Sequence, residues 1–141
     1  MSGFLLDTSL ISELVRPRPN SGVIDWIKST DESILHISVL TLGEIRKGIA
    51  VLADGRRRTS LESWLEHELA SRFSGRILPI DHDIADRWGR ISAAARGRGS
   101  PLPIVDGLLA ATALHFNLTV VSRDATYAAV AGLDFFSPWQ A

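Results

Sequence analysis

Four acidic residues, Asp7, Glu44, Asp106 and Asp124, stand where a folded chain could gather them for joint chemistry. Asp7 ends the apolar run Phe4-Leu5-Leu6, and Asp124 follows the run Leu118 to Val121 by only a Ser-Arg step. Glu44 and Asp106 fall early in two segments with helical patterning. Carboxylates drawn together from such distant positions repel. One pair about 4 Å apart, at an effective dielectric near 20, costs roughly 4 kcal/mol. A cluster of this kind either takes up protons or holds a hard cation such as Mg²⁺. The chemistry it suits is metal-assisted hydrolysis. The hydroxyls of Thr8, Ser9 and Ser122 lie beside two of the acids and are candidates to orient them, a water or a phosphate.

Each acid also has an ordinary explanation. Asp7 could cap a helix beginning near Ser9, worth about 1 kcal/mol. Thr41-Leu42-Gly43-Glu44 spells a capping box, with Thr41 at the N-cap and Glu44 at N3. That reading weakens if Ser38 is the cap, because Glu44 then lies in the second turn. Asp106 follows Pro103 in the first turn of a helix, where the macrodipole alone favours it by ~0.3–1 kcal/mol. The helix around it is nearly all apolar, however, and an ionised carboxylate there needs a partner. Gly107 beside it costs ~1 kcal/mol relative to Ala, which predicts a close approach by a neighbouring group. Asp124 could serve as a turn or cap residue in Ser122-Arg123-Asp124-Ala125.

The elements that would position these residues alternate. Strands are expected at Gly3 to Leu6, Ile34 to Ser38, Arg76 to Ile80, Leu118 to Ser122 and Leu133 to Phe136. Helices are expected at Ser9 to Val15, Val23 to Ser29, Thr41 to Ala53, Thr59 to Ser74, Asp83 to Arg96 and Ile104 to Phe116. The last is the most apolar and is expected to be buried almost all round. Leu61, Trp64, Leu65, Leu69 and Phe73 share one helical face. Arg16-Pro17-Arg18-Pro19 and Gly75 are breakers. This order predicts an α/β fold with a mostly parallel five-stranded sheet covered on both faces. In such a sheet, sites form at the carboxyl ends of strands where the strand order reverses, and Asp7 and Asp124 occupy such ends.

The bulk numbers fit one domain over residues 1–141. The chain is 45% hydrophobic and 22% charged, with a net charge of −1 and no cysteine. Thiolate metal sites and disulfides are excluded, and nucleic-acid contact must come from local basic groups. No signal peptide or membrane span is expected, so the chain reads as cytoplasmic. Basic groups occur at Arg16 and Arg18, at Arg46 and Lys47, at Arg56 to Arg58, and at Arg96 and Arg98. Charge runs usually mark solvated helix edges, but beside an acidic pocket they would hold a phosphate backbone. His36, His67 and His115 read as structural or surface residues. His82, between Asp81 and Asp83, has no second histidine at ligand spacing, and the two aspartates read as helix caps.

Taken in order, the motifs resemble the PIN-domain ribonuclease toxins of the VapC type, in their FitB-like branch. The resemblance rests on Leu-Leu-Asp-Thr-Ser at Leu5 to Ser9, Ile-Ser-Glu at Ile11 to Glu13 and the Arg-Pro-x-Pro-Asn segment ending at Asn20. It continues through Gly-Glu-Ile-Arg-Lys-Gly at Gly43 to Gly48, Gly-Arg-Ile-Leu-Pro at Gly75 to Pro79 and Asp-Gly-Leu-Leu-Ala-Ala-Thr-Ala at Asp106 to Ala113. Val-Ser-Arg-Asp at Val121 to Asp124 and Ser-Pro-Trp at Ser137 to Trp139 complete it.

That resemblance implies a PIN-like three-layer α/β/α fold and a Mg²⁺- or Mn²⁺-dependent endoribonuclease with Asp7, Glu44, Asp106 and Asp124 as its pocket. It also implies a small antitoxin partner, often with a ribbon-helix-helix DNA-binding domain, whose tail covers the pocket, and a homodimer. Departures from the family pattern are Ser9 in place of Asn, Ser122 in place of Thr, Tyr127-Ala128-Ala129 where Phe is frequent, and Ser137 in place of Asn. Two other readings remain open. A haloacid-dehalogenase-type phosphatase would need a second Asp where Ser9 stands, and a catalytically silent module would bind RNA or protein without cutting.

Overall fold

The computed structural model describes residues 3–139, in which strands and helices alternate. Strand β1 (Phe4–Leu6) leads into α1 (Thr8–Leu14) and α2 (Ser21–Ser29). A 3-10 turn (Glu32–Ile34) precedes β2 (Leu35–Ser38), which passes directly into α3 (Val39–Ala50). Next, α4 (Arg56–Ser63) continues without a break through a π-helical stretch (Trp64–Leu69) into α5 (Ala70–Arg72). Gly75, at φ 80°, ends that helix in the left-handed conformation glycine favours. Then come β3 (Ile77–Leu78), α6 (His82–Gly97), α7 (Ile104–Phe116), β4 (Thr119–Val121), a 3-10 turn (Ala125–Ala129) and β5 (Phe135–Phe136). Among the described residues, no helix is long and apolar enough to cross a membrane.

The five strands lie in the order β3-β2-β1-β4-β5, and every neighbouring pair is parallel. The expected parallel sheet is therefore parallel throughout, β5 with β4 included. Because side chains alternate along a strand, adjacent residues serve opposite faces. Leu6 and Val121 join Leu35 and Ile37 in a core with Leu10, Ile11, Val23, Ile45, Ile49, Leu65, Leu69 and Phe73. Leu5 and Val120 join the opposite core, with Leu109, Ala110, Ala113 and Tyr127. Helices α1 to α5 therefore cover one face and α7 the other, with α6 packed on α7. This is the expected α/β/α sandwich.

Several expected boundaries move, for physical reasons. Helix α3 starts at Val39, because the Ser38 hydroxyl accepts the Leu40 N–H at 3.0 Å and caps it. Thr41 is fully buried inside that helix, so the capping box with Glu44 does not form. Asp81 caps α6 by accepting the Ile84 N–H, as expected, and Asp83 stands in the first turn. Helix α7 is less enclosed than its composition suggests, with Ile104 66% exposed and Phe116 41% exposed. Strand β3 shrinks to two residues because its carbonyl and amide partners come only from the end of β2. The expected close approach at Gly107 is real: a Cβ there would lie 3.0 Å from the Trp88 indole.

One tie joins the chain's two ends. Glu13 in α1 is 5% exposed, and its carboxylate accepts the Asn20 N–H at 3.0 Å and the Trp139 indole N–H at 3.2 Å, with Arg16 3.7 Å away. The guanidinium of Arg123, the residue before Asp124, lies 5.9 Å from the Trp139 ring centroid. Burial works to raise the Glu13 carboxyl, but the Asn20 amide, the Trp139 indole and the charges of Arg16 and Arg123 together hold it below the usual range. Its contribution to stability is therefore present at neutral pH and is lost as pH falls through the folded-state value.

Two stability measurements follow from this packing. Gly107→Val drives a branched side chain into Trp88 and is expected to cost ~1–3 kcal/mol in urea unfolding. Gly89→Ala on α6, where a Cβ meets only open space, is expected to be neutral or stabilising by ~0.5–1 kcal/mol. Equal effects would contradict the helix contact. Glu13→Gln is expected to cost ~1–3 kcal/mol at pH 7, a difference that shrinks as pH drops below the ordinary glutamate value of 4.5. A pH-independent difference would remove the charge from the account.

Candidate active site

Strand order reverses beside β1, where the chain crosses from β3 at one edge to β4 on the other side of β1. At such a switch point the flanking loops diverge and leave a crevice at the carboxyl ends of the strands. Asp7 lies there, directly after β1 and 7% exposed. Its N–H donates to the Val121 carbonyl at 3.0 Å, which locks the ends of β1 and β4 together. Its carboxylate is fully employed. One oxygen accepts the Thr8 N–H at 2.7 Å, and the other accepts the hydroxyls of Ser122 at 2.6 Å and Ser9 at 3.3 Å. Capping and site placement are thus compatible: Asp7 is the N-cap of α1 and also faces the crevice.

Ser122 is fully buried and connects two of the acids. While donating to Asp7, its oxygen accepts the Asp124 N–H at 2.9 Å. Ser9 accepts the Arg123 N–H at 3.4 Å and lies 3.5 Å from the Ser122 hydroxyl. Asp124 is exposed and caps the 3-10 turn that follows, accepting the N–H and hydroxyl of Thr126 at 3.0 and 2.9 Å. Here too the cap reading and the site reading hold together.

Asp106 enters from α7, half-buried in its first turn. Its carboxyl is pushed up to about 6, first by burial, then by the negative charges of Asp7 and Asp124 and by a hydrogen bond shared with Asp124. The Asp7 carboxyl is raised chiefly by burial, against its hydrogen bonds from Ser122, Thr8 and Ser9. Asp124 is lowered, first by the Thr126 N–H. Three aspartates from β1, α7 and β4 therefore feel one another's charge. Glu44 comes from the second turn of α3, and its link to the group is Thr8, whose hydroxyl donates to Glu44 at 2.5 Å while its amide binds Asp7.

Among the described residues, no lysine or arginine forms an ion pair with any of the four acids. The donors are hard oxygens of one sign, the set a hard divalent cation prefers. Among the described residues, no three acidic or histidine side chains stand close enough together to hold a metal ion as they are placed. The four acids match such a cation in charge and donor type.

The other candidates sort themselves by contact. His36 lies 3.3 and 3.2 Å from the carbonyls of Phe4 and Ile34, and His82 beside Asp83 at the surface. His67 is exposed and His115 packs edge-on against Phe116, so all four histidines lie apart from the acids. Of the basic groups, Arg46 pairs with Glu66 at 3.3 Å and Arg58 with Asp54 and Glu62 at 3.3 and 3.8 Å. Arg98 donates to the Ala129 carbonyl. Arg16 and Arg57 do flank the site. They line a cleft of about 270 Å³ that also exposes Thr8 and Glu44 over an apolar floor of Ile45, Ile49, Leu61 and Trp64.

Tyr127 is a contact that sequence reasoning treated only as a change in packing. It is fully buried, and its hydroxyl donates to Asp106 at 3.4 Å. Burial and the surrounding aspartates push the phenol far up, so it stays a proton donor. Its spacing from Asp124 carried no signal of this contact, because the partner lies 21 residues earlier.

The family model described as PIN domain matches residues 4–133. Toxin FitB of Neisseria gonorrhoeae is 38% identical over 135 residues, which is 96% of this chain and 97% of that protein. VapC ribonuclease Y4jK of Sinorhizobium fredii is 36% identical over 136 residues, 96% and 97% of the two chains. The solved structure of FitAB bound to an IR36 DNA fragment superposes with a TM-score of 0.91 at 36% identity, over 98% of this chain and 96% of that one. The chain belongs to the PIN-domain family, among its VapC-type toxins and alongside FitB.

Proposed function

We propose that this PIN toxin is a divalent-metal-dependent endoribonuclease that hydrolyses RNA phosphodiester bonds, with Asp7, Glu44, Asp106 and Asp124 as its acidic pocket. The observation that carries this reading is the convergence of three mutually coupled aspartates at the sheet's switch point, without a cationic side chain to neutralise them. When bound, Mg²⁺ or Mn²⁺ would supply charge neutralisation, polarisation of the phosphoryl oxygen and a more acidic water.

The chain's own residues prepare that chemistry. Ser122, Ser9 and the Thr8 amide fix the Asp7 carboxylate, and Thr8 also fixes Glu44, so α1 holds an acid from the sheet and an acid from α3 in one frame. Asp106, raised to about 6 with no cation present, would be held ionised by a cation bound in the pocket. Arg16 and Arg57 on the cleft rim are placed to hold phosphates flanking the scissile bond, positioning RNA without reading its bases. We read residues 1–141 as one PIN domain acting in the cytoplasm as half of a type II toxin–antitoxin pair. A small antitoxin with a ribbon-helix-helix DNA-binding domain would cover the cleft of a homodimeric toxin. The likeness to FitAB bound to DNA supports such a partner.

Purified protein is expected to cleave RNA with Mg²⁺ and to lose that activity in EDTA, with Asp7→Asn at least ~100-fold slower. Cleavage that survives both EDTA and Asp7→Asn would sink the metal-dependent reading. RNA binding without any cleavage would favour the silent module instead.

A second measurement addresses the charge cluster without catalysis. A carboxyl whose folded-state value is raised stabilises the fold fully below its unfolded value of 3.8, and that stabilisation is lost as pH rises through about 6. In EDTA at pH 7.5, Asp106→Asn is therefore expected to be more stable than wild type by about 1 kcal/mol, allowing for solvent access to the carboxyl. The difference should vanish near pH 4, and Mg²⁺ at pH 7.5 should raise the melting temperature of wild type more than that of the variant. A variant less stable than wild type at pH 7.5 would show that the aspartates do not repel.

A further inference from the structure

Each acid of the pocket is held by something. Asp7 has two hydroxyls and an amide, Glu44 has Thr8, and Asp124 has the turn that it caps. Asp106 is different. It stands in the first turn of α7 but does not cap it, since the N-cap position belongs to Pro103, and the donor that reaches it is the Tyr127 hydroxyl.

That hydroxyl has little freedom. Tyr127 is fully enclosed in the core between α7 and the sheet, with Leu5, Leu109 and Val120 in the same cluster. Its ring stacks on Phe135 of β5, centroids 6.1 Å apart and planes 25° from parallel. A buried phenol left without an acceptor costs about 1–3 kcal/mol, and here the acceptor is Asp106. The bond engages one carboxylate oxygen, Oδ1. That leaves Oδ2 as the carboxylate oxygen the phenol does not engage.

We propose that Tyr127 is a positioning residue for the pocket: its core-anchored hydroxyl holds Asp106 by Oδ1 and so sets how that carboxylate is presented to a divalent cation shared with the other acids. The inference deepens the acidic-pocket reading and rests on it. Supporting hydrogen bonds of this kind typically carry 10–100-fold in metal affinity. The ring belongs to the hydrophobic core and the hydroxyl reaches the acid. Tyr127→Phe separates the two contributions, since it keeps the ring and the core and deletes only the donor.

The test is Mn²⁺ binding to the full chain, read by the electron paramagnetic resonance signal of free Mn²⁺, for wild type, Asp7→Asn, Tyr127→Phe and Phe135→Leu, with urea unfolding of each. Tyr127→Phe is expected to fold normally and to weaken Mn²⁺ binding about 10-fold. Phe135→Leu, which loosens the stack but keeps the hydroxyl, is expected to lose stability while its affinity stays within about 2-fold of wild type. In RNA cleavage at saturating Mn²⁺, Tyr127→Phe should recover most of the wild-type rate, because excess metal restores occupancy.

Wild-type affinity in Tyr127→Phe, with Asp7→Asn still abolishing binding, would overturn the role of Tyr127 and leave the pocket intact. Equal weakening in Phe135→Leu would reduce Tyr127 to core packing. Binding by wild type that Asp7→Asn leaves unchanged would overturn the pocket reading and the positioning role with it.

Discussion

Like charges gathered at one end of a sheet are the constraint around which this molecule is arranged. Asp7, Asp106 and Asp124 come from β1, α7 and the segment after β4, and each raises or shares the proton affinity of another. Left to themselves they would separate, since a pair at contact distance costs several kcal/mol at the dielectric of a protein crevice. They are held together by geometry that has nothing to do with their charge. β1 and β4 are hydrogen-bonded neighbours in register from Phe4 opposite Thr119 to Leu6 opposite Val121. The residues after both strands must therefore emerge side by side. α7 feeds directly into β4 and packs its apolar face on Leu5 and Val120, which carries Asp106 to the same end. The sheet and two hydrophobic cores supply the work that keeps three anionic groups close.

The hydrogen bonds around the acids distribute that constraint unevenly. Asp7 is buried and receives three donors, so its carboxylate is held in place. Asp124 is exposed and held by a local turn, which leaves its position responsive to what enters the crevice. Asp106 sits between them in burial and has the most perturbed carboxyl of the three. The three carboxylates thus differ in how firmly the fold holds them. The Glu13–Trp139 tie serves the same end, because Arg123 lies over the Trp139 ring and so couples the C-terminal segment to the loop carrying Asp124.

Much of this arrangement was legible in the chain because it depends on local signals. Apolar runs followed by aspartate mark strand ends, and strands mostly separated by helical segments leave a parallel sheet as the economical solution. Gly107, costly in a helix, correctly announced a close neighbour, which is Trp88. Glu44 was ambiguous for a definable reason: Ser38 and Thr41 both spell caps, and only the point at which β2 stops pairing decides between them. The π-helical stretch Trp64–Leu69 was not legible, since the spacing of Leu65, Leu69 and Phe73 fits an unbroken α-helix equally well. Contacts between residues far apart in sequence were also hidden. Glu13 meets Trp139 across 126 positions and Tyr127 meets Asp106 across 21, and no periodicity encodes such meetings.

The cleft beside Glu44 shows how the same fold joins chemistry to recognition. Its floor of Ile45, Ile49, Leu61 and Trp64 is the edge of the core between α1, α3 and α4, and its rim carries Arg16 and Arg57. An apolar trough lined by two arginines and by Glu44 presents two opposed fields a few residues apart. A polyanion is drawn to the rim and repelled from the pocket unless a cation has first neutralised it. Productive binding of a phosphate backbone would therefore depend on metal occupancy, whereas a peptide with an apolar face and a basic side chain would satisfy both fields without metal. Under the proposed function, the acids would thus also leave the site open to competition by a cationic protein segment.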